Sequence, residues 1–322
     1  MVESQTYKQL RYVSDHYEFV TQDIPQPGSG EVLIKVAYST LNPIDRYQYY
    51  LFKAEKLGSD GSGTITAVGD GVSQDLVGKK CAFMLEAWSE YRVVKHDNVI
   101  LLDDSQDLSK AANAGVNPIT AIGLLEIAQA HGATAIVQNA AASQLGKQCI
   151  ALFRTHGIEV LSIVRKDEQI ADLKENHGAK HVLNSESLTF WDDFFPLVKE
   201  LMPTVFFEYV AGELAGKIFA ALPPRSKLVV VGNLTGGKMI LDQSNLLFNA
   251  KTIESFYALT YLNSKTPEQK QEIFKRISDD LRDGGKIFGS KIVMEINLED
   301  YEKGYEAQLG VASEGKILVK IQ

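Results

Sequence analysis

Between residues 134 and 231 the sequence alternates short β-rich segments with stretches of helical character. The β-rich segments are residues 134–139, 158–164, 180–184, 205–209 and 227–231. They are largely apolar and lack the alternation of polar and apolar residues that marks a strand with one solvent-facing side. Strands that alternate with helices are typical of βαβ units, so this region predicts an α/β fold with a doubly wound parallel sheet.

The first of these strands leads into a turn of small residues that opens a helix. Residues 139–146 read Asn-Ala-Ala-Ala-Ser-Gln-Leu-Gly, which places small residues at the three spacings of a dinucleotide-binding fingerprint. Such a turn lets the backbone approach a pyrophosphate at the helix N-terminus. The predicted cofactor contacts are therefore Ala140, Ser143, Gln144, Leu145 and Gly146. Because only Gly146 is a glycine, an ordinary strand–helix turn with small residues for packing remains an alternative.

The second strand of the unit is followed by two cations, Arg165 and Lys166. An NAD site usually carries a carboxylate about 20 residues beyond the glycines, where it binds the ribose 2′-hydroxyl. Cationic side chains instead attract a 2′-phosphate, so the sequence favours NADP(H). Two alternatives stay open, because Asp167 keeps NAD possible and both cations are compatible with a solvated loop.

The first third of the chain and its last segment have a different, all-β character. Strands are predicted at residues 7–13, 17–20, 31–39, 63–68, 80–84 and 88–94, with Gly- and Asp-rich turns between them. A predicted helix at 266–282 precedes two more strands, at 291–296 and 316–321. We therefore predict a cofactor domain at 116–257, inserted between the parts 1–115 and 258–322 of a second domain.

The charge and composition of the chain limit the classes of molecule that it is expected to bind. The chain has 322 residues and a net charge of −8, which disfavours binding to nucleic acid or anionic lipid and leaves a small molecule as the expected substrate. No apolar run approaches the ~20 residues that span a bilayer. The two cysteines favour a reducing compartment. Because residues 1–7 lack the basic and apolar parts of a leader, we expect a cytoplasmic protein, with an organellar matrix possible if a transit peptide was removed.

Several further motifs carry a family resemblance. The chain resembles the zinc-free branch of the medium-chain dehydrogenases/reductases, which contains the quinone oxidoreductases and enoyl reductases. The resemblance runs from about Gly30 to the C-terminus and rests on the following residues: 30–36 (Gly-Glu-Val-Leu-Ile-Lys-Val), 42–45 (Asn-Pro-Ile-Asp), 61–63, 68–69, 88–91 (Trp-Ser-Glu-Tyr), 116–121, 178–182, 231–232 and 315–316.

The resemblance implies a GroES-like β-barrel catalytic domain with a Rossmann domain inserted into it, and frequent homodimers. It also implies two loops of cofactor contacts. Val210 and Gly212 would lie on the adenosine–ribose side, whereas Gly232, Asn233 and Leu234 would contact the nicotinamide carboxamide. Glu208 stands where many members of the family have Asp.

The ligands of a zinc site are missing from the matching positions. Residues 42–45 contain no cysteine, and the Gly-His-Glu of zinc-dependent relatives is replaced by Gly58-Ser59-Asp60. Zinc requires three or four converging Cys, His or carboxylate ligands, so we predict no metal. His177 and His181 are four residues apart, but Gly178 between them ends a helix, and the two side chains are not expected to share a face.

Without a metal, hydrogen-bond donors must stabilise the oxyanion that forms when hydride reaches a conjugated carbonyl or quinone. The candidates are Asn42, Tyr47 and Thr120, of which Asn42 and Tyr47 match family positions along the nicotinamide cleft. Tyr47 is also a candidate proton donor. Its alternative is packing in an aromatic cluster with Tyr49 and Tyr50. The enoyl reductases carry their key tyrosine farther along, where this chain is shortened at residues 51–55, and Tyr50 is a possible substitute.

The sequence thus predicts a zinc-independent, NADPH-dependent reductase of quinones or α,β-unsaturated carbonyls. The alternative is a catalytically inactive member of the family that serves as a nucleotide-binding or structural subunit. The alternative draws on the degenerate fingerprint and on the shortened segment after Tyr50.

Overall fold

The computed structural model describes residues 6–322; residues 1–5, at the start of the first predicted domain, lie outside the described residues. The strands within this range are β1 (Thr6–Val13), β2 (His16–Asp23), β3 (Glu31–Thr40), β4 (Asp60–Val68), β5 (Lys80–Met84), β6 (Tyr91–Lys95), β7 (Ile100–Leu101), β8 (Ala135–Gln138), β9 (Glu159–Val164), β10 (His181–Asn184), β11 (Val205–Glu208), β12 (Lys227–Val230), β13 (Thr252–Ser255), β14 (Ile292–Asn297) and β15 (Lys316–Lys320).

The α-helices in the same range are α1 (Pro43–Arg46), α2 (Leu108–Ala111), α3 (Val116–Ala130), α4 (Gln144–Arg154), α5 (Asp167–His177), α6 (Phe190–Leu201), α7 (Glu213–Ala221), α8 (Gln243–Phe248), α9 (Ala258–Asn263), α10 (Pro267–Arg282) and α11 (Tyr301–Val311). A π-helical turn, Tyr47–Leu51, continues α1. No helix among residues 6–322 combines the length and the apolar character that crossing a bilayer requires.

The chain divides into two compact units. The first unit runs up to Ile119 and resumes at Lys265–Gln322, and the second unit is Thr120–Ser264. The sequence predicts domain boundaries at residues 115/116 and 257/258. The two units divide at residues 119/120 and 264/265, which is a few residues later in the chain in both cases. The first of these boundaries, after Ile119, lies inside the continuous helix α3.

The first unit is built on a largely antiparallel sheet with the strand order β14-β15-β3-β4-β5-β7, and β6 pairs with β3. Strands β1 and β2 form a separate antiparallel hairpin, in which Val13 pairs with His16. The two turn residues between them, Ser14 and Asp15, have positive φ angles, as the tight turns of hairpins require. The last strand of the chain, β15, pairs with β3. The prediction that the C-terminal strands rejoin the N-terminal β region is therefore correct.

The second unit is a six-stranded parallel sheet with the order β10-β9-β8-β11-β12-β13. Numbered from β8, this order is 3-2-1-4-5-6, the order of a Rossmann fold. The order reverses between β8 and β11, and ligands of such sheets bind beyond the carboxyl ends of the strands at that point. The predicted Rossmann sheet, inserted between two parts of a β-rich unit, is confirmed.

Each unit has its own buried core. In the second unit, side chains of the sheet pack against the aromatic face of α6, including Phe190 and Phe194. In the first unit, Trp88, Tyr301 and Tyr305 pack with Leu41 and Leu57. These last two leucines flank the residues of α1 and the π-helical turn, so this core fixes both ends of that segment.

Candidate functional site

The turn after β8 has the backbone geometry of a dinucleotide loop. Ala140 takes a φ of 46°, in the left-handed region that favours glycine. Ser143 caps α4, because its Oγ accepts a hydrogen bond from the Gly146 N–H at 3.1 Å. A Cβ atom at position 146 would lie 2.4 Å from the carbonyl oxygen of Ala141, so only glycine fits there. The three fingerprint positions therefore form the tight turn, the helix start and the close packing that a bound pyrophosphate requires.

A buried carboxylate ties this turn to the next loop of the sheet. Glu208, at the end of β11, accepts hydrogen bonds from Asn139 Nδ2 at 2.8 Å and from the N–H groups of Val210 and Ala211 at 2.7 and 2.6 Å. Asn139 Oδ1 in turn accepts from the Tyr209 N–H at 2.8 Å. The two loops meet where the strand order reverses, so Glu208 shapes the backbone at the predicted cofactor position.

The loops after β11 and β12 are also in contact with each other. The Gly232 N–H donates to the Glu208 carbonyl at 3.2 Å, and the Leu234 N–H donates to the Tyr209 carbonyl at 2.9 Å. Gly212, with a φ of 91°, precedes the first residue of α7. The structure thus brings the predicted contacts Val210, Gly212, Gly232, Asn233 and Leu234 to the same edge of the sheet as the turn at 140–146.

The residues after β9 present cations rather than a carboxylate. Arg165 and Lys166 are both exposed, and Lys166 Nζ pairs with Glu168 at 3.1 Å. None of the residues 6–322 forms an ion pair with the Arg165 guanidinium. Asp167, the residue that keeps NAD possible, accepts a hydrogen bond from Asn184 Nδ2 at 2.8 Å. The guanidinium is thus available to an anion, whereas this carboxylate already has a partner.

In the first unit, the predicted catalytic tyrosine lies in the π-helical turn after α1. Tyr47 is half-buried, its ring lies 6.5 Å from that of Phe52, and burial raises the pKa of its hydroxyl. Tyr49 is different, because its ring stacks on Tyr17 and its hydroxyl donates to Glu302 Oε1 at 3.1 Å. Tyr50 is 53% exposed, and the Arg46 guanidinium lies 5.3 Å from its ring centre. Tyr47 and Tyr50 therefore remain candidates for the catalytic tyrosine, whereas Tyr49 has a packing role.

Asn42, the second predicted catalytic residue, is hydrogen-bonded to other side chains of the first unit. Its side chain is fully buried, and its Nδ2 donates to Ser59 Oγ at 3.0 Å and to Asp60 Oδ2 at 2.9 Å. Its Oδ1 accepts a hydrogen bond from Lys316 Nζ. Both amide N–H groups are therefore hydrogen-bonded within the protein, and a direct role of Asn42 in stabilising an oxyanion stays a prediction.

Thr120, the third predicted catalytic residue, is a buried residue of α3 and begins the second unit. The other two predicted catalytic residues, Asn42 and Tyr47, belong to the first unit. The role of Thr120 in catalysis stays a prediction.

Comparison with known proteins identifies the family. Residues 28–104 match the alcohol dehydrogenase GroES-like domain, and residues 144–278 match the zinc-binding dehydrogenase model. A mitochondrial enoyl-acyl-carrier-protein reductase of Caenorhabditis elegans is 30% identical over 71% of this chain and 70% of its own length. The bovine enzyme of the same name is 25% identical over 90% of this chain and 81% of its own length.

The chain belongs to the medium-chain dehydrogenase/reductase family. A solved structure described as an NADPH:quinone reductase from Mesorhizobium loti has a TM-score of 0.86 and 29% identity, and the match covers 99% of this chain and 100% of that one. A mutant form of an enoyl thioester reductase from Candida tropicalis has a TM-score of 0.81 at 20% identity, and the match covers 98% of this chain and 100% of that one; this similarity supports the fold alone.

Within this medium-chain dehydrogenase/reductase, sequence reasoning missed the residues that surround Asn42. Asp60 and Lys316 are buried charged residues, and Asn113 donates to Asp60 Oδ2 at 2.9 Å. The available signal was weak: Lys316 is a lysine that precedes the apolar residues Ile317–Val319 of a strand, and Ser59-Asp60 replaces a zinc-ligand motif. Neither pattern indicates that Asp60 and Lys316, more than 200 residues apart in the chain, form hydrogen bonds with the same side-chain amide, that of Asn42.

Proposed function

We propose that this protein is an NADPH-dependent reductase of quinones or α,β-unsaturated carbonyl compounds. The proposal rests chiefly on the turn at 140–146, which has the geometry of a dinucleotide loop at the reversal point of a Rossmann sheet. The names of relatives agree with it, since they are enoyl reductases and NADPH:quinone reductases.

In this proposal the residues of the second unit bind the cofactor. The N–H groups at the start of α4, including those of Gln144 and Leu145, receive the pyrophosphate, and Gly146 lets the helix pack close to the turn. Arg165 and Lys166 bind the 2′-phosphate, which selects NADPH over NADH. The bound cofactor supplies the hydride that adds to the conjugated substrate.

The first unit supplies the proton in this proposal. Tyr47 donates its hydroxyl proton to the reduced substrate; a tyrosine hydroxyl is protonated at neutral pH, and burial raises the pKa of this one further. Thr120 contributes a hydrogen bond to the substrate oxygen. If Tyr47 only packs, Tyr50 is the substitute, since it lies in the same turn and is more exposed.

The test is calorimetric titration with NADPH and NADH, followed by turnover of a simple enone, a quinone and an enoyl thioester. Arg165→Glu is expected to weaken NADPH binding by about 10–100-fold and to change NADH binding little. Lys174→Glu makes the same charge change at an exposed position of α5, the helix that follows Arg165, and this variant should bind both cofactors as wild type does. Absence of binding for both cofactors would refute the assignment.

The competing proposal is an inactive, nucleotide-binding or structural subunit. Two observations favour it: only Gly146 of the three fingerprint positions is a glycine, and the segment after Tyr50, where enoyl reductases carry their key tyrosine, is short. NADPH binding without turnover on the whole substrate panel supports this function instead.

We propose that the reaction needs no zinc. In residues 6–322 there is no group of three or more His, Cys, Asp or Glu side chains arranged to hold a metal ion. Activity that survives dialysis against a strong chelator, with no stoichiometric metal by elemental analysis, supports the proposal. Loss of activity that added zinc restores would overturn it.

A homodimer through the edge of the parallel sheet is also proposed. Within the described residues the sheet ends at β13, and an edge strand offers unpaired backbone groups to another chain. Leu247 and Phe248, just before β13, are 73% and 83% exposed. Two copies related by a two-fold axis can pair β13 with β13 and cover these side chains.

Light scattering then gives twice the chain mass of 35.6 kDa for wild type and the single mass for Phe248→Glu. The control is Leu188→Glu, which places the same charge at an exposed leucine elsewhere in the second unit. A monomeric wild type refutes the dimer.

The proposed compartment is the cytoplasm, with the mitochondrial matrix as the alternative that the names of the relatives raise. Buried, unpaired Cys81 and Cys149 suit either reducing compartment. Fractionation of cells that express the chain at its native level distinguishes the two.

A further inference from the structure

The first unit contains a buried polar cluster that the proposed reaction does not use directly. It consists of Asn42, Asp45, Ser59, Asp60 and Lys316, and we call it the Asn42 cluster. All five side chains are buried, and they come from α1, the loop before β4, β4 itself and β15. Buried charges are retained only where they are paired and hydrogen-bonded, so the partners of each charge matter here.

The Asn42 amide lies between charges of opposite sign. Its N–H groups point to the Asp60 carboxylate and to Ser59 Oγ, and its carbonyl oxygen faces the Lys316 ammonium. An amide has a donor end and an acceptor end, so an anion on one side and a cation on the other allow a single orientation. Lys316 thereby sets the orientation of a residue 274 positions earlier in the chain.

Asn42 and Asp45 define where the tyrosine-bearing segment begins. The Asn42 N–H donates to Asp45 Oδ2 at 2.7 Å, and the Ser59 N–H donates to Asp45 Oδ1 at 2.8 Å. Pro43 follows at the first helical position, where its fixed φ suits the helix start. Since α1 is only four residues long and runs straight into the π-helical turn, a displacement of Asn42 moves Tyr47 as well.

Lys316 is the cation of a cluster that holds two carboxylates. Burial raises the pKa of Asp45 to about 7 and that of Asp60 to about 6, and it lowers the pKa of Lys316 to about 8. Without the ammonium, Asn42 Oδ1 loses its donor and the two acids lose their compensating charge. When the ammonium is removed, we expect the Asn42 amide to rotate so that its N–H groups point to other acceptors.

We propose that Lys316 is a positioning residue for Tyr47, acting through the Asn42 amide and the start of α1. This inference rests on the proposed reductase function, but the position of Tyr47 can also be read without turnover. It assigns Lys316 no contact with substrate or cofactor.

The test compares Lys316→Met with Lys320→Met. Both variants remove an ammonium from β15, but Lys320 is exposed and lies outside the cluster. For Lys316→Met we expect kcat to fall at least about tenfold, while KM and the dissociation constant of NADPH change by less than about threefold. Lys320→Met should match wild type in all three quantities.

A double-mutant cycle separates positioning from a general loss of folded protein. If Lys316 acts through Tyr47, Lys316→Met lowers kcat little further in a Tyr47→Phe background. If the effect is only on folding, it lowers kcat by the same factor in both backgrounds, and the proposal fails. An unchanged kcat for Lys316→Met in the wild-type background also overturns it.

Two further measurements keep the proposal testable. If Lys316→Met does not fold, Lys316→Met/Asp60→Asn removes the uncompensated carboxylate as well, and the same kinetic pattern is expected from it. If wild type shows no turnover, the reductase proposal fails, and a fluorotyrosine at position 47 still reports on geometry. Its fluorine resonance should shift in Lys316→Met and not in Lys320→Met; equal spectra refute the positioning role.

Discussion

Gly146→Ala tests whether the turn at 140–146 is built for close backbone approach. In an unobstructed helix this change stabilises by about 1 kcal/mol, because alanine has the higher helix propensity. At position 146, however, the new Cβ would lie 2.4 Å from the Ala141 carbonyl oxygen and 2.8 Å from the Ala141 Cα. To relieve this overlap the turn must move by roughly 1 Å, and overpacking of this kind destabilises the folded protein by about 1–3 kcal/mol. We expect net destabilisation of up to about 2 kcal/mol.

The same displacement moves the N–H groups that we propose to bind the pyrophosphate. Hydrogen bonds to charged groups contribute about 1.5–3 kcal/mol each, so loss of one weakens NADPH binding about 10–100-fold. Gly310→Ala is the matched control, because Gly310 is also helical, in α11, and a Cβ added there would have no other atom within 4 Å. Urea denaturation should show Gly310→Ala unchanged or more stable, with normal NADPH binding. Wild-type stability and affinity in Gly146→Ala would refute the reasoning.

Three other perturbations follow from the same contacts. Ser143→Ala removes the N-cap of α4 and should cost about 1 kcal/mol in urea denaturation. Glu208→Ala leaves three N–H donors without their acceptor and should cost at least about 2 kcal/mol, whereas Glu213→Ala, which breaks an exposed pair, should leave the stability close to that of wild type. Asp45 has a raised pKa of about 7, so the folded state binds more protons than the unfolded state between about pH 4 and 7, and its contribution to stability falls as pH rises. Asp45→Asn should flatten that fall in a pH series of denaturation curves, and an unchanged slope would contradict the assignment.

The parallel sheet was predictable because its strands carry their own signal. For β9, burial on both faces gives an apolar run, Val160–Val164, and a helix separates it from each neighbouring strand. The edge strand β13 was missed for the converse reason. Three of its four residues, Thr-Ile-Glu-Ser, are polar because one side of the strand is open, and such a segment does not stand out from a loop. The boundaries of the sheet are therefore less visible in the sequence than its centre.

The surroundings of Asn42 could not be predicted, for a different physical reason. The motif Asn-Pro-x-Asp forms the start of α1, and the contacts that define this start lie within four residues of each other. The role of the Asn42 side chain depends instead on Asp60 and Lys316, which reach it only through the pairing of β15 with β3 and of β3 with β4. A single sequence carries no record of such register. The same amide can be a substrate donor or an internal bridge, and tertiary contacts alone decide between them.

The degenerate fingerprint shows which glycines this turn requires and which it replaces. Glycine is indispensable at 146, where any Cβ meets backbone. At 143 a serine is the better residue, because its hydroxyl caps the helix that a glycine would leave uncapped. At 140 alanine bears a left-handed φ, which costs roughly 1–2 kcal/mol, and the Asn139–Glu208 hydrogen bond fixes the neighbouring backbone that holds it there. The motif is therefore better judged by the backbone conformation at each position than by the number of glycines, and on that criterion the turn retains the geometry that a dinucleotide needs.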